Sequence, residues 1–188
     1  MKLFYKCLPQ KTYKSEEYVY EAVQHEDIES IRQWRNEQMD VLRQTHAIGR
    51  EEQIEYFKNN VWPEMGKDQP DKILLSIKSN GKLIGYGGLV NISWTNLRGE
   101  LSFLIDSNRI NNRNIYHKDM EYFIIMIKDL SFKTLSLNRL FTETFSFRKD
   151  QISILEDFGM DIEGVLKSSY KINGKYCDSV IQRLINKW

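Results

Sequence analysis

Cysteine, proline and histidine are scarce in this sequence of 188 residues, which has two, three and three of them respectively. Two cysteines are too few for a disulfide framework, and the scattered histidines lack the spacing of a metal site. The longest apolar window, around residues 124–127, is far too short to span a bilayer, and the N-terminus lacks the apolar core of a signal peptide. We therefore predict a cytoplasmic protein with no bound metal and no membrane contact.

An excess of charge of one sign is also missing, since 27 Lys and Arg residues face 26 Asp and Glu residues. A chain built to bind nucleic acid usually carries a basic excess, so we predict no nucleic-acid partner. Hydrophobic residues make up 41% and charged residues 28%, which is typical of a globular protein. Because no repeat, low-complexity tract or linker divides the sequence, we predict a single domain over residues 1–188.

Two Asn-Gly pairs and several β-forming runs define the predicted strands. Asn80-Gly81 and Asn173-Gly174 supply the positive φ angles that a two-residue hairpin turn requires. The seven predicted strands cover residues 17–23, 72–78, 82–90, 100–105, 139–145, 163–172 and 175–185.

Helical periodicity predicts four helices between these strands. Asp27 is the expected cap of the first, and the second begins near Arg50 and ends at Pro63. The other two cover about 115–132 and the region around 152–158. The order of elements predicts an α/β fold with a mixed sheet of about seven strands and helices on both faces. The apolar faces of the first two helices are formed by Ile28, Ile31 and Trp34 and by Ile54, Phe57 and Val61.

Three short motifs lie at defined places in this order of strands and helices. Ile31-Arg-Gln-Trp34-Arg35-Asn36 ends the first helix, Lys82-Leu-Ile-Gly85-Tyr-Gly-Gly88-Leu forms a strand, and 154–160 with Glu163-Gly164 closes the last helix. Together they resemble the GNAT acetyltransferases, in particular the branch of ribosomal-protein N-terminal and nucleotide-amino-sugar acetyltransferases. The resemblance covers nearly the whole chain. It implies a GNAT-like fold, acetyl-CoA as the acyl donor and an amine as the acceptor.

The segment after Ile105 departs from that family. Its members usually present Gln/Arg-x-x-Gly-x-Gly/Ala there, so that backbone amides close on the pyrophosphate of acetyl-CoA. Residues 107–115 contain no glycine, and we expect the asparagines to rebuild the turn at positive φ. The cofactor-binding residues that the resemblance implies are Phe103, Leu104, Ile105, Arg109, Asn111, Asn112, Arg113, Asn114, Ile115 and Arg148.

Acetyl transfer to an amine requires a base for the acceptor and an acceptor pocket. Glu100 opens the strand on which several family members place a general base. The tyrosine that protonates the leaving thiolate in the family falls at Leu155, so we predict Tyr170 as its replacement, with Tyr176 as the other candidate. The predicted acceptor-binding residues are Trp34, Arg35, Asn36, His46 and Trp94.

These residues predict an N-acetyltransferase that acts on the primary amine of a small molecule, with a nucleotide-linked amino sugar as the favoured acceptor. One alternative acceptor is a protein N-terminus or ribosomal protein. A second alternative, suggested by the missing glycines and Leu155, is a pseudoenzyme that kept the fold and no longer binds CoA. Because many relatives pair through their final strands, a homodimer is also expected.

Overall fold

The computed structural model describes residues 2–172 and 174–187, and its strands form one mixed sheet. The strands are β1 (Thr12–Ser15), β2 (Tyr18–Ala22), β3 (Ile73–Ser79), β4 (Lys82–Ser93), β5 (Arg98–Ile105), β6 (Arg139–Phe145), β7 (Asp161–Ile172) and β8 (Lys175–Ile185). Their order in the sheet is β1-β2-β3-β4-β5-β6-β8-β7. Neighbouring strands are antiparallel except β5 and β6, which are parallel.

The helices connect these strands and are interrupted by tighter or wider turns. The described α-helices are α1 (Ile28–Glu37), α2 (Arg50–Tyr56), α3 (Ser107–Ile110), α4 (Arg113–Asp129) and α5 (Lys149–Asp157). A 3₁₀ turn (Met39–Val41) follows α1, a π turn (Phe57–Val61) and a 3₁₀ turn (Trp62–Gly66) follow α2, and a π turn (Leu130–Thr134) follows α4. No helix in the part of the chain that the structure describes is long and apolar enough to cross a membrane.

Helices α1 and α4 cover opposite faces of the sheet. Tyr86 and Leu104 are register partners in β4 and β5, so their side chains share one face, and Arg35 of α1 donates to the Tyr86 hydroxyl over 3.0 Å. Phe103 points to the other face and packs against Phe123 of α4, with ring centroids 5.9 Å apart. The predicted mixed sheet with helices on both faces is confirmed.

The structure corrects several details of the predicted elements. Strand β1 was not predicted, so the sheet has eight strands rather than about seven. Asp27 lies at the start of α1 but does not cap the helix. Its carboxylate accepts from the backbone amide of Gln24 (2.9 Å) and from the Ser76 hydroxyl (2.5 Å). Pro63 does not end the second helical segment, because the backbone continues as a 3₁₀ turn to Gly66.

Ile54 was wrongly placed on the apolar face of α2, since its side chain is 49% exposed. Gln53 is buried in its place, and its amide donates to the Ile28 carbonyl over 3.2 Å. The predicted turn at Asn80 and Gly81 is confirmed, with φ angles of 50° and 77°. In the second predicted turn, Gly174 has φ 81°, and Asn173 lies outside the described residues.

Candidate functional site

Strands β5 and β6 pair over three residues and then separate. The last register pair is Glu100 with Phe141. Beyond it, β5 stays bonded to β4 as far as Ile105, and β6 stays bonded to β8 as far as Phe145. The facing edges of the two strands therefore diverge, and their backbone groups lie outside the sheet ladder. Free N–H and C=O groups on such an edge can bind an extended polar chain.

A cleft of about 220 Å³ fills this opening. Its walls come from both strands and include two buried polar atoms that lack a hydrogen-bond partner among the described residues, the Thr142 hydroxyl and the Gln151 amide nitrogen. Both side chains are 3% exposed. Because buried polar groups in proteins are normally hydrogen-bonded, these two atoms are suited to contact polar atoms of a ligand.

A second cleft of about 710 Å³ continues from the first, since Val41, Arg148 and Gln151 line both. It lies at the start of α5 and beside the start of α4, where Arg113 and Lys149 add positive charge. Three carboxylates also line its wall, and one of them lies in the first turn of α5, so charges of both signs are present at the start of that helix. These acidic residues are Glu37, Asp40 and Asp150.

Arg148 stands at the junction of the two clefts. Its guanidinium has no hydrogen bond or ion pair with any described residue, and burial lowers its pKa. A half-buried cation without a partner in a cleft is a candidate for binding an anion. Gln151, one turn along α5, accepts from the Tyr116 hydroxyl, and burial raises the pKa of Tyr116 to about 12.

The asparagine segment does not form the turn that we expected. Asn111 has φ −66° and Asn112 has φ −106°, so the predicted positive φ angles are wrong. Residues 107–110 instead form α3, and the Asn112 side chain caps α4 by accepting from the Ile115 amide over 3.2 Å. Asparagine side chains compete well for free amides at helix starts, which explains the difference.

The Arg109 side chain binds a buried carboxylate within the chain. Its Nε and Nη2 atoms donate to the two carboxylate oxygens of Asp119 over 2.6 and 2.7 Å, and Asp119 is fully buried and also accepts from the Tyr18 hydroxyl. Arg109 therefore ties the segment to α4. It lines neither of the two clefts, and this geometry does not support its predicted phosphate contact.

The other predicted cofactor residues divide between the clefts and the core. Phe103 lines the first cleft, and Asn111, Arg113 and Arg148 line the second. Leu104 and Ile105 are buried, and the Ile105 carbonyl accepts from the Gln38 amide over 2.9 Å. The remaining two, Asn114 and Ile115, lie in the first turn of α4 and line neither of these clefts.

Two carboxylates on the separating strands line the first cleft. Glu100 accepts from the Asn91 amide over 2.7 Å, and Glu143 accepts from the buried Ser179 hydroxyl over 2.6 Å. The guanidinium of Arg43 lies between them, 3.7 Å from Glu100 and 2.9 Å from Glu143. The side chains of Glu100 and Glu143 are 13% and 17% exposed, so both charges are mostly shielded from solvent.

Tyr170 of β7 stands behind this group. Its hydroxyl donates to Glu143 over 3.3 Å, and its ring lies 4.8 Å from the centre of the Arg43 guanidinium. Its pKa is raised, mainly by burial, so the hydroxyl keeps its proton. Tyr176, the other tyrosine considered as a proton donor, is 69% exposed, and Leu155 is fully buried.

Of the predicted acceptor-binding residues, Arg35 lines the first cleft and Trp34 is part of the core, at 8% exposure. Asn36 holds the segment after α1, since its side chain bonds to the N–H and C=O groups of Ile48. His46 lies 2.9 Å from Glu52 at the protein surface.

Trp94 donates from its indole nitrogen to the Pro70 carbonyl over 2.9 Å, so its polar atom has a partner within the chain. Neither of the two clefts is lined by Trp34, Asn36, His46 or Trp94. The structure therefore leaves Arg35 as the one predicted acceptor residue in contact with this space.

Four residues of the site were missed in the sequence. Thr142 and Glu143 form, with Thr144, a polar run between the apolar residues of β6, and that run is a usable signal. Arg43 lies in the irregular segment 42–49 and Gln151 on an ordinary amphipathic helix, so neither carries a local signal.

Comparisons with known proteins place this geometry in a family. The sequence model of the acetyltransferase (GNAT) domain matches residues 21–181. A search among curated proteins gave no significant match.

Solved structures similar to this chain include a chimera of Vibrio cholerae spermidine N-acetyltransferase SpeG and hSSAT (TM-score 0.76, 16% identity, 90% of this chain and 95% of that one). The Vibrio cholerae spermidine N-acetyltransferase in complex with CoA and spermine has a TM-score of 0.74 at 17% identity, over 91% of this chain and 96% of that one. An N-acetyltransferase from Staphylococcus aureus Mu50 has a TM-score of 0.69 at 13% identity, over 89% and 98%. Since the family model spans most of the sequence, the chain belongs to the GNAT acetyltransferases and is an N-acetyltransferase that uses acetyl-CoA as its acyl donor.

Proposed function

We propose that this enzyme acetylates the primary amine of a small molecule, with Glu100 as the general base. The observation that carries the proposal is the continuous opening from the second cleft, with Arg148 at its junction, to the paired carboxylates Glu100 and Glu143. One end suits an anionic donor and the other suits a cationic acceptor. The two ends meet where β5 and β6 separate.

The donor end provides contacts for each part of acetyl-CoA. The divergent edges of β5 and β6, together with the unpartnered Thr142 hydroxyl and Gln151 amide, would hold the extended pantetheine arm. Arg148 and Arg113, beside the start of α4, would hold the pyrophosphate. When bound, acetyl-CoA supplies the thioester carbonyl that the amine attacks.

The acceptor end provides the proton transfer. An amine enters as an ammonium ion and must lose a proton before it can attack. Glu100 lines the cleft beside β6, where its carboxylate, held by the Asn91 side chain and lying 3.7 Å from Arg43, would accept this proton. Leu155 cannot protonate the leaving thiolate, and Tyr170 is bonded to Glu143, so we propose that the thiolate leaves without a dedicated acid.

The acceptor end is a poor fit for a nucleotide-linked amino sugar. That hypothesis depended on Arg35 contacting a phosphate and on Trp94 stacking against a sugar or base. Arg35 donates to the Tyr86 hydroxyl, and Trp94 lies outside the two clefts. Two carboxylates stand where a diphosphate would approach, so an amine without phosphate is the acceptor that we favour.

A screen of primary amines tests the proposal. Purified protein is incubated with acetyl-CoA and monoamines, polyamines, free amino sugars, nucleotide-linked amino sugars and peptides, and the release of the CoA thiol is measured. We expect Glu100→Gln to lower kcat by about 10²- to 10⁴-fold with unchanged CoA binding. Glu55→Gln, an exposed change on α2, serves as the control. CoA that fails to bind in calorimetry, or a Glu100→Gln variant with wild-type kcat, would contradict the assignment.

We also propose that the enzyme forms a homodimer through β7, one of the two outer strands of the sheet. Three apolar side chains of β7, Ile162, Val165 and Leu166, are 49%, 46% and 46% exposed. Apolar edge strands tend to pair with another chain. Sedimentation should show a dimer that Val165→Lys weakens, and a monomer at all concentrations would refute this.

A further inference from the structure

The Arg43 guanidinium occupies a position built for a cation. It lies between the carboxylates of Glu100 and Glu143 and over the ring of Tyr170, 4.8 Å from the ring centroid. Two carboxylates and an aromatic face are how proteins bind ammonium and guanidinium ions. At the acceptor end of the cleft, the chain itself therefore supplies one cation.

Its two contacts are unequal. Nη2 of Arg43 lies 2.9 Å from the Glu143 carboxylate and donates to the Glu143 carbonyl over 3.2 Å, whereas Nη1 is 3.7 Å from Glu100. Glu143 also accepts from Ser179 and Tyr170, so its oxygens are fully engaged. The Arg43 charge thus mainly offsets Glu143, and the charge of Glu100 stays available. The group as a whole carries one net negative charge, which matches one ammonium.

A second ammonium on the same acceptor has two options, and both are unfavourable. It can lie beside Arg43, where it meets a like charge in a partly shielded cleft. It can instead displace Arg43 from Glu143, which breaks both contacts with Glu143 and the contact with the Tyr170 ring. Arg43 lies in the segment 42–49, which forms neither helix nor strand, so these contacts fix its position.

We propose that Arg43 determines the charge specificity of the enzyme, so that it accepts amines with one positive charge and rejects diamines and polyamines. The inference rests on the proposed function and deepens it, because it names the substrate class. It also separates this enzyme from its structural neighbour of Vibrio cholerae, whose structure is a complex with spermine.

Butylamine and putrescine test the proposal, because they have the same four-carbon chain and differ by one ammonium. The kcat/KM of acetylation is measured for each, and calorimetry gives the Kd of each amine for protein saturated with CoA, which cannot transfer an acetyl group. For the wild type we expect butylamine to be preferred by about 10-fold or more in both measurements. Arg43→Ala should remove or reverse that preference, mainly by improving putrescine.

Two further variants separate charge from structure. Arg43→Lys keeps the positive charge and should keep the preference for butylamine. Arg50→Ala removes an arginine that pairs with Glu29 outside the clefts, and it should change the Kd and kcat/KM of neither amine. Thermal melting of each variant shows that it is folded.

The proposal is overturned if the wild type binds putrescine as tightly as butylamine or if neither amine binds. It is also overturned if Arg43→Ala weakens the binding of both amines equally. Failure of the proposed function looks different. In that case no amine is acetylated by any variant, while calorimetry still reports whether Arg43 sets the preference between one and two charges.

Discussion

Replacing Arg148 with methionine should weaken CoA binding without destabilising the unliganded protein. The guanidinium has no partner among the described residues, and burial lowers its pKa, so the fold gains no ion pair from it and carries the cost of its desolvation. Methionine keeps an unbranched apolar side chain and has no charge. We therefore expect the Tm of the free variant to equal or exceed that of the wild type.

The expected loss of affinity follows from the same geometry. If Arg148 donates to the pyrophosphate, its charge-assisted hydrogen bonds contribute about 1.5–3 kcal/mol. The Kd for CoA should then rise about 10- to 150-fold, since each 1.4 kcal/mol corresponds to about one factor of ten. The effect should shrink at high salt, because the interaction joins two charges.

Calorimetric titration with CoA and thermal melting of the free protein measure the two quantities. Arg98→Met, an exposed substitution at the start of β5 that lines neither cleft, is the matched control. An Arg148→Met variant that binds CoA like the wild type would refute the role at the junction of the clefts. A variant with a lower Tm and unchanged Kd would show that Arg148 supports the fold instead.

Two other predictions concern the strands and the buried tyrosines. Gly87→Ala should raise the KM for acetyl-CoA and lower stability by about 1–3 kcal/mol, because a Cβ there would lie 2.6 Å from the Ser102 carbonyl and 2.8 Å from the Phe103 Cα, so that β5 must move toward the cleft. Gly66→Ala, where nothing lies within 4 Å of the added Cβ, is its control, and equal effects of the two changes would contradict the argument. Burial raises the pKa of Tyr116 to about 12 and also raises that of Tyr20, so the folded state holds their protons beyond the unfolded value of about 10. The stability that Tyr116 contributes should be complete below about pH 10 and lost as pH rises through about 12, which urea melts at several pH values measure. Tyrosinate absorbance showing that all tyrosines ionise near pH 10 in the folded protein would refute this.

Local sequence signals predicted those elements whose ends carry a strong turn or periodicity. Asn80 and Gly81 marked the hairpin between β3 and β4, and both have the positive φ that the turn requires. Strand β1 was not predicted because it is only four residues long. The turn between β1 and β2 has Glu16 at φ 50°, a position where glycine or asparagine is usual. The burial of Gln53 in place of Ile54 depends on a tertiary contact with the Ile28 carbonyl, which periodicity cannot show.

Among the residues of the candidate site, some also carry a local sequence signal and others depend on tertiary contacts. Glu100 and Arg148 were predicted because they lie near the start of a strand and at the start of a helix, where the family places functional groups, and both line the first cleft. Arg43 could not be found, since its position depends on Glu143, one hundred residues away in the sequence. The asparagine segment was misjudged because two uses of asparagine compete, positive φ and helix capping, and capping of α4 prevailed at Asn112.

If the diphosphate of CoA binds at the start of α4, as proposed, the cap on that helix would reduce the affinity for small free anions. The Asn112 oxygen already accepts from the Ile115 amide, so a phosphate bound to that amide would compete with a group that is present at high local concentration. Inorganic phosphate or sulfate gains little from that exchange. A diphosphate tethered by an arm between β5 and β6 arrives with its own high effective concentration and can win the competition. A capped helix start without glycine would therefore bind a phosphate group more weakly by itself, and binding there would depend on the contacts of the rest of the ligand.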